Sequence, residues 1–348
     1  MKHFSLIAFF AGLAAFACSG QKPEPLTPEV QSQTIHDLLS DMKEGYVFPK
    51  LADESATKLN ENLAAGAYKD LDGPTFAKRL TTDLQSVCHD AHLRVRYSAE
   101  LLPVRQHANE PSKAEIEAGK RFDRAVNGGV AKAEILEGNV GYLELLGFLS
   151  PDAAGKPIEA AMRFLANSDA LVLDLRRNGG GDPRTVQLLC SYFFSGEPVH
   201  LNDIYFRPTN QTTQFWTHRR VPGPRFEGKP IYVLTSKWTA SGAEECAYDL
   251  QNLHRAKILG ESTWGGANPG GSYRLNDHFS IFVPSGRAIN PYTKTNWEGT
   301  GVIPDVSVSA DKALQAAKKM ALQELLGKAS FPDDKERIQE ALGALKDS

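Results

Sequence analysis

A single serine stands between a strand-like run and a helix-like run in "LTSKWTASGAEECAYDL", and two readings compete for it. Ser241-Gly242-Ala243-Glu244 has the form of a capping box, in which the serine hydroxyl accepts the Glu244 amide and Glu244 reaches back to the Ser241 amide. The same position suits a nucleophile. Ala240 and Gly242 leave the hydroxyl uncrowded, and the next amide lies at the positive end of a helix. A strand–Ser–helix turn is how hydrolases expose such a group, although the G-x-S-x-G signature is absent. A serine needs a base near neutrality, and histidine is the usual one. "SVCHDAHLRVRY" offers His89, which reads as a helix end, and His92, which opens a strand-like stretch. A histidine bonded at a domain edge is the competing reading for His92.

Three glycine-bearing turns complete the set. "DLRRNGGGDPRT" places three glycines between a strand and a helix, where amides can face an anion or oxyanion; a tight turn with positive φ is the plainer account. "ESTWGGANPGG" follows a short strand. "TNWEGTGVIPDV" sets Glu298 beside Trp297, either as a directed carboxylate or as a solvated turn residue.

These residues need elements to hold them. From Pro28 to about Val95 the periodicity is helical: Ile35, Leu38, Leu39 and Met42 share one face, Leu59 and Leu63 a second, and Phe76, Leu80, Leu84 and Val87 a third. "YVFPK" and "DLDGP" break the runs. Beyond a polar connector the pattern alternates. Two strands surround Glu137-Gly138-Asn139, a helix follows, then the buried strand "DALVLDLR", the helix "DPRTVQLLCSYFF", the strand "PIYVLTS", the helix from Ser241 and the strand "AKILG". "SYRL", "FSIFVPSG" and the Trp297 segment add β-structure, and helices over 311–326 and 333–345 close the chain. Alternation of this kind predicts an α/β core built from crossover units. The expected division is a signal at 1–17, a tether at 18–27, a helical bundle at 28–98, a connector at 99–131 and the core at 132–348.

Composition narrows the partners. A net charge of -3 over 348 residues gives no reason to expect nucleic acid or an anionic membrane. The start, "MKHFSLIAFFAGLAAFACSG", is basic, then apolar over signal-peptide length, with small residues before Cys18. Ala15-Phe16-Ala17 suits ordinary signal peptidase, while Cys18 and the flexible segment after it favour a lipid-anchored, exported bacterial protein, periplasmic or held at the outer membrane. Cys88, Cys190 and Cys246 lie in apolar runs and read as buried thiols, with one disulfide permitted. No Cys/His spacing suggests zinc, and no glycine loop fits a phosphate or dinucleotide, so no cofactor is expected.

Taken together and in order, these motifs resemble the C-terminal processing (tail-specific) serine peptidases. The closer likeness is to the branch of interphotoreceptor retinoid-binding protein-like bacterial proteins and the tricorn protease core. It rests on Asp90-Ala91-His92-Leu93, "GYLELLGF", Asp174 to Gly181, T-x-SGAEE around Ser241 and the W-E-G-x-G-V-x-P-D close. The resemblance implies a ClpP/crotonase-like core of β-β-α units. It implies Ser241 as nucleophile, an oxyanion hole from the Gly180 and Gly242 amides, and a role for Glu244, which matches a glutamate three residues beyond the nucleophile. The lysine of the family's Ser–Lys dyad falls at Gly266, so that dyad is excluded there. The tricorn-like tetrad implies His92 as base and Glu298 as its orienting acid, with Ala91 standing where that tetrad has a second serine. No PDZ-like segment separates bundle from core. The expectation is an exported serine endopeptidase acting on peptides or unfolded protein. The alternatives are a non-catalytic hydrophobic-ligand binder and an envelope scaffold that binds peptides by strand addition.

Overall fold

The computed structural model describes residues 24–103 and 113–345. The expected signal, Cys18 and most of the expected tether therefore lie outside the described residues. In chain order the elements are α1 Pro28–Gly45, α2 Pro49–Ala64, α3 Gly73–Cys88, β1 Arg94–Tyr97, α4 Lys113–Ala125, β2 Val130–Leu136, β3 Val140–Leu145, α5 Pro151–Phe164 and β4 Ala170–Asp174. They continue as α6 Pro183–Ser191, β5 His200–Phe206, β6 Gln211–Trp216, β7 Ile231–Thr235, α7 Gly242–Asn252, β8 Lys257–Gly260, β9 Gly270–Arg274 and β10 Phe279–Pro284. The last are β11 Gly286–Ile289, β12 Val306–Ser307, α8 Ala313–Lys328 and α9 Pro332–Ala344. The chain forms two units.

The first unit joins the N-terminal region to Ile204–Thr212 and Asn268–Ala288. Its three helices begin where proline at the first turn and the side-chain caps Thr27 and Asp72 place them. α3 ends at His89, which takes the left-handed conformation at φ 51°. Leu38, Met42, Leu59, Phe76, Leu80 and Leu84 form its core, as the helical stripes require. The bundle expected at 28–98 gains a sheet, however. β1 pairs antiparallel with β10, and β10 with β9, so Phe279, Ile281 and Val283 from far along the chain enter this core. The unit is thus wider than its first 98 residues, because strand pairing over such separation leaves no local pattern.

The second unit comprises Ser112–Asp203, Thr213–Ala267 and Ile289–Ser348. A six-stranded sheet of order β12-β8-β7-β4-β3-β2 forms its centre; it is parallel except for the antiparallel β2–β3 hairpin. β4 and β7 are buried at every position, as strands covered on both faces must be. On one face Val140, Val172, Tyr232 and Leu234 pack against α8, whose Ala313, Ala317 and Ala321 recur every fourth residue and let the helix lie close. The hairpin turn falls at Gly138 and Asn139, both at positive φ, as read from the sequence. The Trp297 segment is not a strand: it is a turn in which Gly299 and Gly301 adopt φ of 72° and 71°, conformations a ladder cannot hold. α4 buries none of its residues, and no described helix is long and apolar enough to cross a membrane.

Candidate active site

β4 and β7 are adjacent and parallel, with Asp174 opposite Leu234, so the turns leaving their carboxyl ends meet. The turn after β4 is the glycine run, and the turn after β7 leads to Ser241. Three hydrogen bonds tie them: Ser236 Oγ donates to the Arg176 carbonyl at 2.6 Å, Thr239 Oγ1 to the Leu175 carbonyl at 2.8 Å, and the Ala240 amide to the Asn178 carbonyl at 3.1 Å. Behind them Asp174, buried, accepts from Tyr142 Oη at 2.7 Å and from the Arg176 guanidinium. Arg176 in turn donates to the Ala310 carbonyl at 2.6 Å. These fixed partners hold the two short turns still.

Ser241 adopts φ 53° and ψ −121°. A residue with a β-carbon resists that region, at a cost of roughly 1–3 kcal/mol, so the surrounding structure must impose it. Glu244 imposes it. The Glu244 half of the capping box read in the sequence is present, and its carboxylate does more than cap. Oε2 accepts the Ser241 amide at 2.8 Å and the Gly266 amide at 2.9 Å; Oε1 accepts Thr263 Oγ1 at 2.5 Å and the Gly265 amide at 2.6 Å. Two donors on each oxygen use every lone pair. Burial pushes the Glu244 carboxyl above its ordinary range, and these four hydrogen bonds pull the other way.

Gly180 lies hard against the serine. A β-carbon there would come 2.6 Å from the Ala240 carbonyl oxygen, 2.7 Å from the Gly242 nitrogen and 2.8 Å from Ser241 Cβ. Its expected part as an oxyanion donor needs correction. The Gly180 amide donates to Asn178 Oδ1 at 2.8 Å, because an asparagine in such a turn bonds the amide two residues on. Among the described residues, no acceptor takes the amides of Gly181 or Gly242. A β-carbon on Gly242 would lie 3.1 Å from the Gly181 nitrogen, so these two unclaimed donors are close neighbours. The asparagine two residues before Gly180 was the sequence signal for the bond that claims its amide.

Glu298 and Trp297 brace the far side of this corner. Trp297 is buried and donates from Nε1 to the Gly266 carbonyl at 2.8 Å, and Glu298 Oε2 accepts the Ala267 amide at 2.5 Å. The Gly265–Ala267 segment is therefore gripped by Glu244 from one direction and by the Trp297 turn from the other. Lys237 is exposed, with its ammonium over the Trp238 ring.

His92 belongs to the first unit. Its amide donates to Asp90 Oδ1 at 3.0 Å, and its ring stacks on Phe282, with centroids 5.7 Å apart. Asp90 is buried and also accepts from Asn268 Nδ2 at 2.9 Å and, at 3.4 Å, from Tyr46 Oη. Asp90, Asn268 and Phe282 were not singled out from the sequence, although Asp90 sits in the D-x-H-L pattern itself. Burial, helped by the charge of Arg94, lowers the His92 pKa to about 4, so the imidazole is neutral at physiological pH. The structure thus assembles Ser241, Gly242, Gly180 and Glu244 in the second unit, with Glu298 reaching them through the Gly265–Ala267 segment.

Residues 139–308 match the model of Peptidase family S41. A stretch of 180 residues is 28% identical to the carboxy-terminal-processing protease of Bartonella bacilliformis, covering 50% of this chain and 39% of that protein. A stretch of 174 residues is 29% identical to the chloroplastic carboxyl-terminal-processing peptidase 2 of Arabidopsis thaliana, covering 48% of this chain and 31% of that one. The match thus spans well under half the length of either relative. Among solved structures, mature CPAF is similar with a TM-score of 0.55 at 13% identity, covering 90% of this chain and 98% of that one. At that identity the likeness concerns the α/β fold.

Proposed function

We propose that this chain, whose residues 139–308 belong to Peptidase family S41, is an exported serine endopeptidase that acylates on Ser241. The observation that carries the reading is the imposed positive φ of Ser241 at the junction of β7 and α7, held by a buried carboxylate that spends all its lone pairs there. A cap alone does not need that strain; a nucleophile presented on a sharp turn does.

In this mechanism Ser241 Oγ attacks the scissile carbonyl of a peptide or unfolded protein. His92 takes the hydroxyl proton and later gives it to the leaving amine, after which water attacks the acyl-enzyme and regenerates the serine. The neutral imidazole is the form such a base requires. The amides of Gly242 and Gly181 receive the oxyanion, with Gly180 keeping the turn close enough for them to do so. Glu244 is a positioning residue. Glu298, bonded to the Ala267 amide, positions the Gly265–Ala267 segment, and any orienting of His92 by Glu298 has to manage without the serine that Ala91 replaces. Export and a lipid anchor at Cys18 are part of the proposal, supported by the order of basic, apolar and small residues at the N-terminus.

The test is labelling with a fluorophosphonate probe followed by peptide mapping. Wild type should carry the adduct on Ser241, Ser241→Ala should carry none, and His92→Ala should label slower by several orders of magnitude. Equal labelling of wild type and Ser241→Ala would leave the serine as a cap and return the chain to the ligand-binding reading.

A further inference from the structure

Two thiols that the proposed reaction does not use face one another. Cys190 lies near the end of α6 and Cys246 in α7, 56 positions apart in sequence, with Sγ atoms 3.9 Å apart and both side chains fully buried. Cys88 has a different neighbour, the Ser55 hydroxyl at 3.3 Å. A buried lone thiol packs as a small hydrophobe. A facing pair has additional chemistry, because two adjacent thiols can be oxidised to a sulfur–sulfur bond of about 2.05 Å.

The two helices are not arbitrary. α6 starts directly after the glycine run, and α7 starts directly after Ser241. Gly180 and Ser241 sit so tightly that a single β-carbon would not fit between them. Any sliding of one helix along the other would open that contact and separate the Gly181 and Gly242 amides.

We propose that Cys190 and Cys246 form a disulfide as the chain folds in an oxidising compartment, and that this bond staples α6 to α7. The oxidant is an exchangeable disulfide, such as oxidised glutathione or the disulfide of a dithiol oxidase. One cysteine thiolate attacks it and releases a thiol; the second thiolate then displaces the other half from the mixed disulfide. Two protein thiols lose their hydrogens and two electrons, and one disulfide becomes two thiols. The exchange belongs to folding rather than to the finished core, since the folded pair is inaccessible and the Cys246 sulfur, together with burial, pushes the Cys190 thiol well up.

The experiment refolds the full chain from denaturant in parallel, once in a glutathione redox buffer and once with a phosphine reductant. Intact mass, alkylation mapping and thermal unfolding are then compared. The oxidised sample should be lighter by about 2 Da, with the Cys190 and Cys246 peptides linked and the Cys88 peptide alkylated. Its Tm should exceed that of the reduced sample by roughly 6 °C, the value for closing a loop of this length in a chain of this size. Cys246→Ser, carried through the same two buffers, should show no difference in Tm. Complete alkylation of Cys190 and Cys246 after oxidative refolding, or a chain that folds only in reductant, would overturn the assignment. A linked pair with an unchanged Tm would overturn the staple.

Discussion

Replacing Glu244 by glutamine keeps the shape of the side chain and changes only what its two terminal atoms can accept. The carboxylate now receives four hydrogen bonds, two on each oxygen. An amide nitrogen in place of Oε2 would face the Ser241 and Gly266 N–H groups, and both would lose their acceptor. In place of Oε1 it would face the Gly265 N–H and the Thr263 hydroxyl. The hydroxyl can rotate, although it already accepts the Val302 amide at 2.6 Å, but the Gly265 N–H cannot. The less damaging rotamer therefore orphans one buried amide and weakens three charge-assisted bonds. At about 1–3 kcal/mol for a buried donor left without a partner, Glu244→Gln should cost about 2–4 kcal/mol of stability. Acylation should suffer separately, because the positive φ of Ser241 then loses part of what enforces it. Urea unfolding gives the first quantity, and the rate of fluorophosphonate labelling, expected to fall at least tenfold, gives the second. A variant within about 0.5 kcal/mol of wild type that labels within twofold would refute the claim that Glu244 holds the turn.

The remaining expectations concern neighbouring groups. Gly180→Ala meets backbone within 2.6–2.7 Å at a φ of 96°, so it should destabilise by several kcal/mol or, if the turn yields, reduce labelling of Ser241 more than a hundredfold; calorimetry and probe kinetics distinguish these. With the His92 pKa lowered to about 4, the reactive neutral imidazole persists down to that pH, and the acid limb of kcat/KM should fall near 4 instead of near 6.5; an inflection between 6 and 7 would count against it. Glu245 is buried on α7, accepts from Asn202 Nδ2 at 3.2 Å, and burial raises its pKa to about 7. The folded chain thus binds a proton that the unfolded chain releases between about pH 4.5 and 7, so this contribution to stability, about 3 kcal/mol, is present at low pH and lost as pH rises through that window. Urea midpoints measured across it should decline in wild type and flatten in Glu245→Gln.

Much of this arrangement was legible in the chain. The helices of the first unit announced themselves because their stripes are local and "YVFPK" and "DLDGP" break the runs between them. β4 and β7 read as buried strands because both faces are covered, and the turns after them were marked by glycine and by the capping box. What could not be read depended on distant partners. Nothing near Arg94–Tyr97 shows that it pairs with Phe279–Pro284, and β5 and β6, with mixed polarity, carried no alternation strong enough to stand out. The family resemblance implied the Gly180 amide as an oxyanion donor, whereas the Asn178 side chain accepts it. The fourfold use of Glu244 depends on Thr263, Gly265 and Gly266 returning from across β8, which spacing alone does not reveal.

The surroundings of His92 also set an order of events during synthesis. Phe282, which its ring rests on, and Asn268, which holds Asp90, leave the ribosome some 180 residues after the histidine itself, Asn268 being 178 positions beyond Asp90. The proposed base is therefore neither desolvated nor fixed while the nascent chain is short, and it is completed only after the Ser241 turn has already emerged. Contacts of such long range form late and slowly. On the proposed mechanism, a truncated or stalled chain would carry the serine without a configured base, so the proposed hydrolytic competence would arrive with the last third of the polypeptide, and fragments shed before that point would be inert toward their neighbours.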